Sequence, residues 1–213
     1  DRRPQRTTVM IRRAFDRIRA RDDQNLVRAG QIAELRRHQP SDVDDFVRWY
    51  TDPDIATLLR HDLRPLTPSQ ARGYFLSIVL PASGNGTAWA IHDRESGNLI
   101  GTTAVTQVDF ERSSCLFRIV IGEKQAWGHG FGTDATRLVA DEVFEVLQLR
   151  KIKLEVFEHN PRAQRSYEKV GFRETGRTVE WAGRRRLDVI AMELDRDRWY
   201  ELNGIDASGR AGT

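Results

Sequence analysis

Gln125-Ala-Trp-Gly-His-Gly-Phe-Gly-Thr-Asp-Ala-Thr-Arg137 decides the reading of this chain. Glycines alternate at Gly128, Gly130 and Gly132, the apolar segment Leu116 to Ile121 precedes them, and a helical pattern follows at once. That order spells a strand, a tight turn and a helix start. Glycine permits positive φ and, lacking a Cβ, lets a ligand approach the backbone, so successive N–H groups can converge on an anion at the positive end of a helix. A phosphate or pyrophosphate suits such a turn. A nucleoside-triphosphate loop would close with Gly-Lys-Ser/Thr, whereas Gly132 is followed by Thr133 and Asp134. A dinucleotide fingerprint starting at Gly128 would need its third glycine at Thr133, and no repeated βαβ pattern surrounds it. Another phosphate ligand, or a glycine connector without one, is left.

A second motif breaks the tie: Leu154-Glu-Val-Phe-Glu-His-Asn-Pro-Arg-Ala-Gln-Arg-Ser-Tyr-Glu-Lys-Val-Gly-Phe172. Together the two stretches resemble the GNAT superfamily of acetyl-CoA-dependent N-acetyltransferases, most closely its RimJ/RimL-like branch. Asn160, Ala163, Tyr167, Gly171 and Phe172 match the family pattern over a resemblance that covers about residues 31 to 195. The resemblance implies an α/β (α+β) chain with the GNAT fold, a mixed, mostly antiparallel central sheet flanked by helices.

It also implies a site. Acetyl-CoA is the expected co-substrate, its pyrophosphate on backbone N–H groups of Trp127, Gly128, His129, Gly130, Phe131, Gly132 and Thr133. Ile119, Val120 and Ile121 pair with the pantetheine like an extra strand, and splaying of two adjacent strands opens the acyl slot. Tyr167 is the catalytic candidate, a phenol that can protonate the departing thiolate without being ionised at neutral pH. Asn160 either bonds the pantetheine or only caps the helix that Pro161 begins. Related sequences often carry a glutamate in the strand before the glycine turn, where this chain has Leu116, with Arg118 two residues on. Glu111, His92, Glu158, His159 and Glu180 remain as bases, unless water or an already neutral amine removes the need for one. The acceptor is a primary amine: a peptide N-terminus, a polyamine or an aminoglycoside. Two other readings stay open, a CoA-binding regulatory module with weak catalysis and a ribosome- or RNA-associated protein.

Composition narrows the classes. With 39% apolar and 31% charged residues in 213, the chain suits one globular domain plus an appendage, and no apolar run approaches a membrane span. The single cysteine, Cys115, cannot form an internal disulfide, which suits the cytoplasm, and its strand position favours packing over chemistry. No Cys/His cluster calls for a metal and no Gly-x-Ser-x-Gly for a serine nucleophile. The division is an arginine-rich N-terminal extension over 1–30, the acetyltransferase domain over 31–202 and a polar tail over 203–213. Val9, Ile11, Ala14, Phe15 and Ile18 form an amphipathic segment in the extension, open to homodimer contact, to packing on its own domain or, through its arginines, to RNA.

Strands are expected from Ile32 to Arg36, Trp89 to His92, Leu99 to Gln107, Cys115 to Ile121 and Ile152 to Phe157, with a last pair from Phe172 to Leu194. A helix begins after Ser41, and Thr67-Pro-Ser-Gln70 is a capping box opening another to about Leu80. The helix after the glycine turn puts Ala135, Leu138, Val139, Val143, Val146 and Leu147 on one face.

Overall fold

The computed structural model describes residues 24–59 and 61–204. The amphipathic segment at 9–18 and the tail from 205 onward lie outside them. The strands are β1 (Leu26–Ala29), β2 (Ala33–Arg36), β3 (Ala88–Asp93), β4 (Leu99–Asp109), β5 (Ser114–Ile121), β6 (Lys151–Phe157), β7 (Arg173–Ala182) and β8 (Arg185–Asp195). They form one sheet in the order β1-β2-β3-β4-β5-β6-β8-β7. Every neighbouring pair is antiparallel except β5 and β6. A parallel pair needs a long crossover, and the glycine turn with its helix supplies it.

The helices are α1 (Val43–Tyr50), α2 (Pro53–Leu59), α3 (Pro68–Tyr74), α4 (Leu80–Gly84), α5 (Phe131–Asp141), α6 (Pro161–Val170) and α7 (Arg196–Asn203). None of the described helices is long and apolar enough to cross a membrane. The capping box forms as read, with Thr67 Oγ1 accepting from Gln70 N and Gln70 Oε1 accepting from Thr67 N. Between α3 and α4 the helix widens to a π turn, Phe75–Val79, in which Leu80 N–H donates to Phe75 O. Pro81 follows directly, and widening eases the clash between its ring and the turn before it.

Alternation along the strands assigns the two faces. Phe117 of β5 and Leu154 of β6 join the main core with Leu138, Val139, Val143 and Phe144 of the α5 segment and Val170 of α6. Val120 joins Trp49 of α1 and Ile55 of α2 on the opposite face. Trp49 lies flat against the backbone just after β5, where a Cβ on Gly122 would sit 2.0 Å from Trp49 Cδ2. Only glycine fits there.

Two local readings change, and one element was not anticipated. Leu26–Ala29, assigned to the extension, is a strand of the sheet, so ordered structure begins before residue 31. Val146, expected on the core face, is exposed, because the helix passes into a π turn over Glu142–Val146 and rotates it outward. The chain forms helix α7 after the last strand, and its Trp199 is buried in the main core.

Arg28 of β1 spans to the end of α5, 2.7 Å from Glu142, 3.0 Å from Glu145 and 3.7 Å from Asp141. Burial pushes the Asp141 carboxyl up to about 6, Arg28 pulls it back, and Glu145 adds to the rise. A carboxylate raised in the folded state costs stability once ionised, so this cost is absent below the unfolded value near 4 and complete above about 6. Asp141→Asn keeps an acceptor for Trp199 Nε1 and is expected to raise unfolding stability at pH 7.5 by about 1 kcal/mol, after discounting for partial exposure, with no gain at pH 4. Urea titrations at both pH values measure it.

Candidate active site

β5 and β6 stay paired only through Ser114↔Lys151, Cys115↔Ile152 and Leu116↔Lys153. Beyond Leu116 they diverge, while β5 continues to pair with β4 as far as Ile121↔Gly101. A cavity of about 330 Å³ occupies the opening. It is walled by the splayed strands, the glycine turn, α6 and, across the sheet, α2.

The glycine turn has the conformation its sequence demands. Gly128 and Gly130 take φ of 84° and 92°, a region that favours glycine. Gly130 is the N-cap of α5 and no side chain among the described residues caps the helix, so the N–H groups of Phe131, Gly132 and Thr133 are left for an anion. Thr133 Oγ1 and Ser166 Oγ, 2.6 Å apart, join the first turn of α5 to α6. Asp134 faces the other way: its Oδ2 accepts from Ile32 N at 2.8 Å and Ala33 N at 2.9 Å, tying α5 to the start of β2. A Cβ on Gly30 would lie 2.5 Å from that oxygen, so the close approach requires glycine there too.

The cavity gathers Ile119, Val120, Ile121, Trp127, Gly128, Gly130, Phe131, Gly132, Thr133, Asn160 and Tyr167. His129 is exposed in the turn and is not part of the lining. Asn160 caps α6, its Oδ1 accepting from Ala163 N at 3.2 Å, and its side chain also lines the cavity. Tyr167 is 9% exposed, packed edge-on to Phe117 and tilted against Phe172. Among the described residues its hydroxyl has no hydrogen-bond partner, yet no sealed side-chain oxygen or nitrogen is left unpaired, so the hydroxyl reaches the cavity. Burial raises the phenol above its ordinary value, keeping it a proton donor at neutral pH.

None of the bases suggested by sequence lines the cavity. His92 Nδ1 lies 2.9 Å from Gly97 O, His159 Nε2 lies 2.8 Å from Thr57 O, and Glu158 pairs with Arg177. Glu180 pairs with His61, and Glu111 is exposed in the β4–β5 turn. His61 and Glu155, neither singled out from sequence, do line the cavity. Glu155 is its only carboxylate among the described residues, on the face of β6 toward α2, together with Leu116 and Arg118 of β5. The β-strand pattern of Leu154–Phe157 placed Glu155 on a strand but could not show that the neighbouring strand leaves it. Cys115 is buried and its thiol is pushed up to about 12, which agrees with packing.

Residues 33–173 match the family model for the acetyltransferase (GNAT) domain. The uncharacterized N-acetyltransferase p20 of Bacillus licheniformis is 27% identical over 164 residues, 75% of this chain and 90% of that protein. Spermidine N(1)-acetyltransferase of Vibrio cholerae is 36% identical over 104 residues, 48% of this chain and 60% of that enzyme. Among solved structures, a GNAT-family acetyltransferase from Bacillus anthracis superposes with a TM-score of 0.69 at 15% identity, over 79% of this chain and 98% of its own. Spermidine N-acetyltransferase from Vibrio cholerae in complex with CoA and spermine gives 0.68 at 23% identity, over 78% and 97%.

Proposed function

The chain belongs to the GNAT acetyltransferase family and is an acetyl-CoA-dependent N-acetyltransferase, and from that premise we propose that its acceptor is the primary amine of a slim aliphatic polyamine. The observation that carries this is the break between β5 and β6, which opens one cavity to both faces of the sheet and leaves Glu155 on the α2 side. Ile55, Leu58 and Leu59 of α2 offer apolar walls to a methylene chain, and Glu155 offers an anion to an ammonium. Arg118 at the same end keeps any second ammonium away from β5. The spermidine acetyltransferase relative supports the same class. The narrower RimJ/RimL-like placement rests on the two motifs alone.

In this reading the free N–H groups of the α5 first turn bind the pyrophosphate, and Ile119 to Ile121 present to the pantetheine amides the edge of β5 that β6 has left, where the Ile121 carbonyl already accepts from Trp127 Nε1. Asn160 serves as helix cap and lines the path of the pantetheine. Glu155 accepts the proton that the ammonium must lose before it attacks, Tyr167 gives a proton to the thiolate sulfur as the carbon–sulfur bond breaks, and the proton that the nitrogen of the tetrahedral adduct then sheds returns to Tyr167. The amine becomes an acetamide and CoA leaves as the thiol. Proton donor and acceptor sit on opposite sides of the break, so neither competes for the other's partner.

The test is thiol release from acetyl-CoA with polyamines, aminoglycosides and peptide N-termini, each product identified by mass spectrometry. A mono-acetylated polyamine is the expected product. Acetylation confined to peptides or aminoglycosides would replace the acceptor class, and release with no acceptor would remove it.

A further inference from the structure

Trp127 and Arg162 meet at the edge of the cavity. The Arg162 guanidinium carbon is 3.8 Å from the centroid of the Trp127 ring, and the indole Nε1–H donates to Ile121 O at 2.7 Å. The indole is thereby fixed to the end of β5, while the guanidinium comes from the first turn of α6. The pair ties together the strand and helix walls beside the glycine turn. Arg162 has no carboxylate partner among the described residues, and the same holds for Arg165 and Lys169. These two follow at i+3 and i+7, on the same side of α6, and line the same cavity. Burial without an anion beside it pulls Arg162 below its ordinary value.

We propose that Arg162 is a phosphate-reading latch that exchanges between two seats, the Trp127 indole and a phosphate oxygen of the CoA nucleotide held at the glycine turn. Its planar fork matches a phosphate, and a charge-assisted pair of bonds outcompetes stacking on an indole. Arg165 and Lys169 extend the positive row along the nucleotide. The enzyme thus selects a phosphate-bearing donor at α6, independently of the thioester chemistry at Tyr167. This rests on the acetyl-CoA reading of the cavity.

The experiment compares wild type with Arg162→Met and Trp127→Phe. CoA affinity is measured by calorimetry across a salt series, tryptophan emission is recorded on CoA addition, and kcat/KM is compared for acetyl-CoA and the phosphate-free S-acetylpantetheine. Arg162→Met is expected to bind CoA about 10-fold more weakly with a flatter salt dependence, the loss confined to the phosphate-bearing donor. Arg162→Lys should recover part of the affinity, because charge returns without the fork. CoA should change the emission of wild type and not of Trp127→Phe. Unchanged affinity and salt dependence in Arg162→Met overturns the latch, as does an equal loss with S-acetylpantetheine or an unchanged wild-type emission. Failure of the wild type to bind CoA overturns both the latch and the acetyl-CoA reading, whereas an active wild type with an indifferent Arg162→Met overturns the latch alone.

Discussion

Tyr167→Phe is expected to lower kcat by about 10²- to 10³-fold while leaving CoA affinity within about 2-fold. The substitution removes one oxygen and keeps the ring, so the edge-on contact with Phe117 and the tilted contact with Phe172 survive. The lost group is the hydroxyl that reaches the cavity without a partner among the described residues. Its removal creates no unsatisfied polar atom, and the fold has no reason to weaken. What disappears is the proposed donor for a thiolate that would otherwise depart as an anion in a partly apolar cleft. Single-turnover kinetics separate the outcomes: a slowed acetyl-transfer step supports the role, and unchanged turnover assigns Tyr167 to packing alone.

Glu155→Gln is expected to lower kcat/KM about 10²-fold at pH 7. Glutamine preserves shape and polarity on β6 but cannot take the amine's proton. The deficit should shrink as pH rises toward about 10, where a primary amine loses its proton to water. That convergence is the decisive feature, since a misfolded or mispositioned strand would remain impaired at every pH. A loss of activity that is constant between pH 7 and 10 would reassign Glu155 to binding.

Local signals carried what is local. The strand, turn and helix around Gly128–Gly132 and the capped helix from Asn160 to Gly171 follow from glycine conformations and caps within a few residues, and both stand where the sequence puts them. Glu155 was legible as a strand residue only. Its access to the cavity depends on β5 parting from β6 after Leu116, a property of two strands more than thirty residues apart. His61 comes from a connection with no periodic signal, and its partner Glu180 lies on the edge strand β7. β1 was missed because Leu26 and Val27 are a short apolar run next to arginine, and pairing with β2 supplies the rest of its stability. The buried side of α7 is marked by Trp199 alone against a polar background, too weak a stripe to announce a helix.

We place the thioester in the opening between β5 and β6. A crystal structure of the CoA complex is the direct test. The pyrophosphate is expected on the N–H groups of the α5 first turn, the pantetheine along Ile119 to Ile121, and the sulfur within about 3.5 Å of Tyr167 Oη. CoA bound away from this opening, or with its sulfur on the far side of β6 from Tyr167, would contradict it.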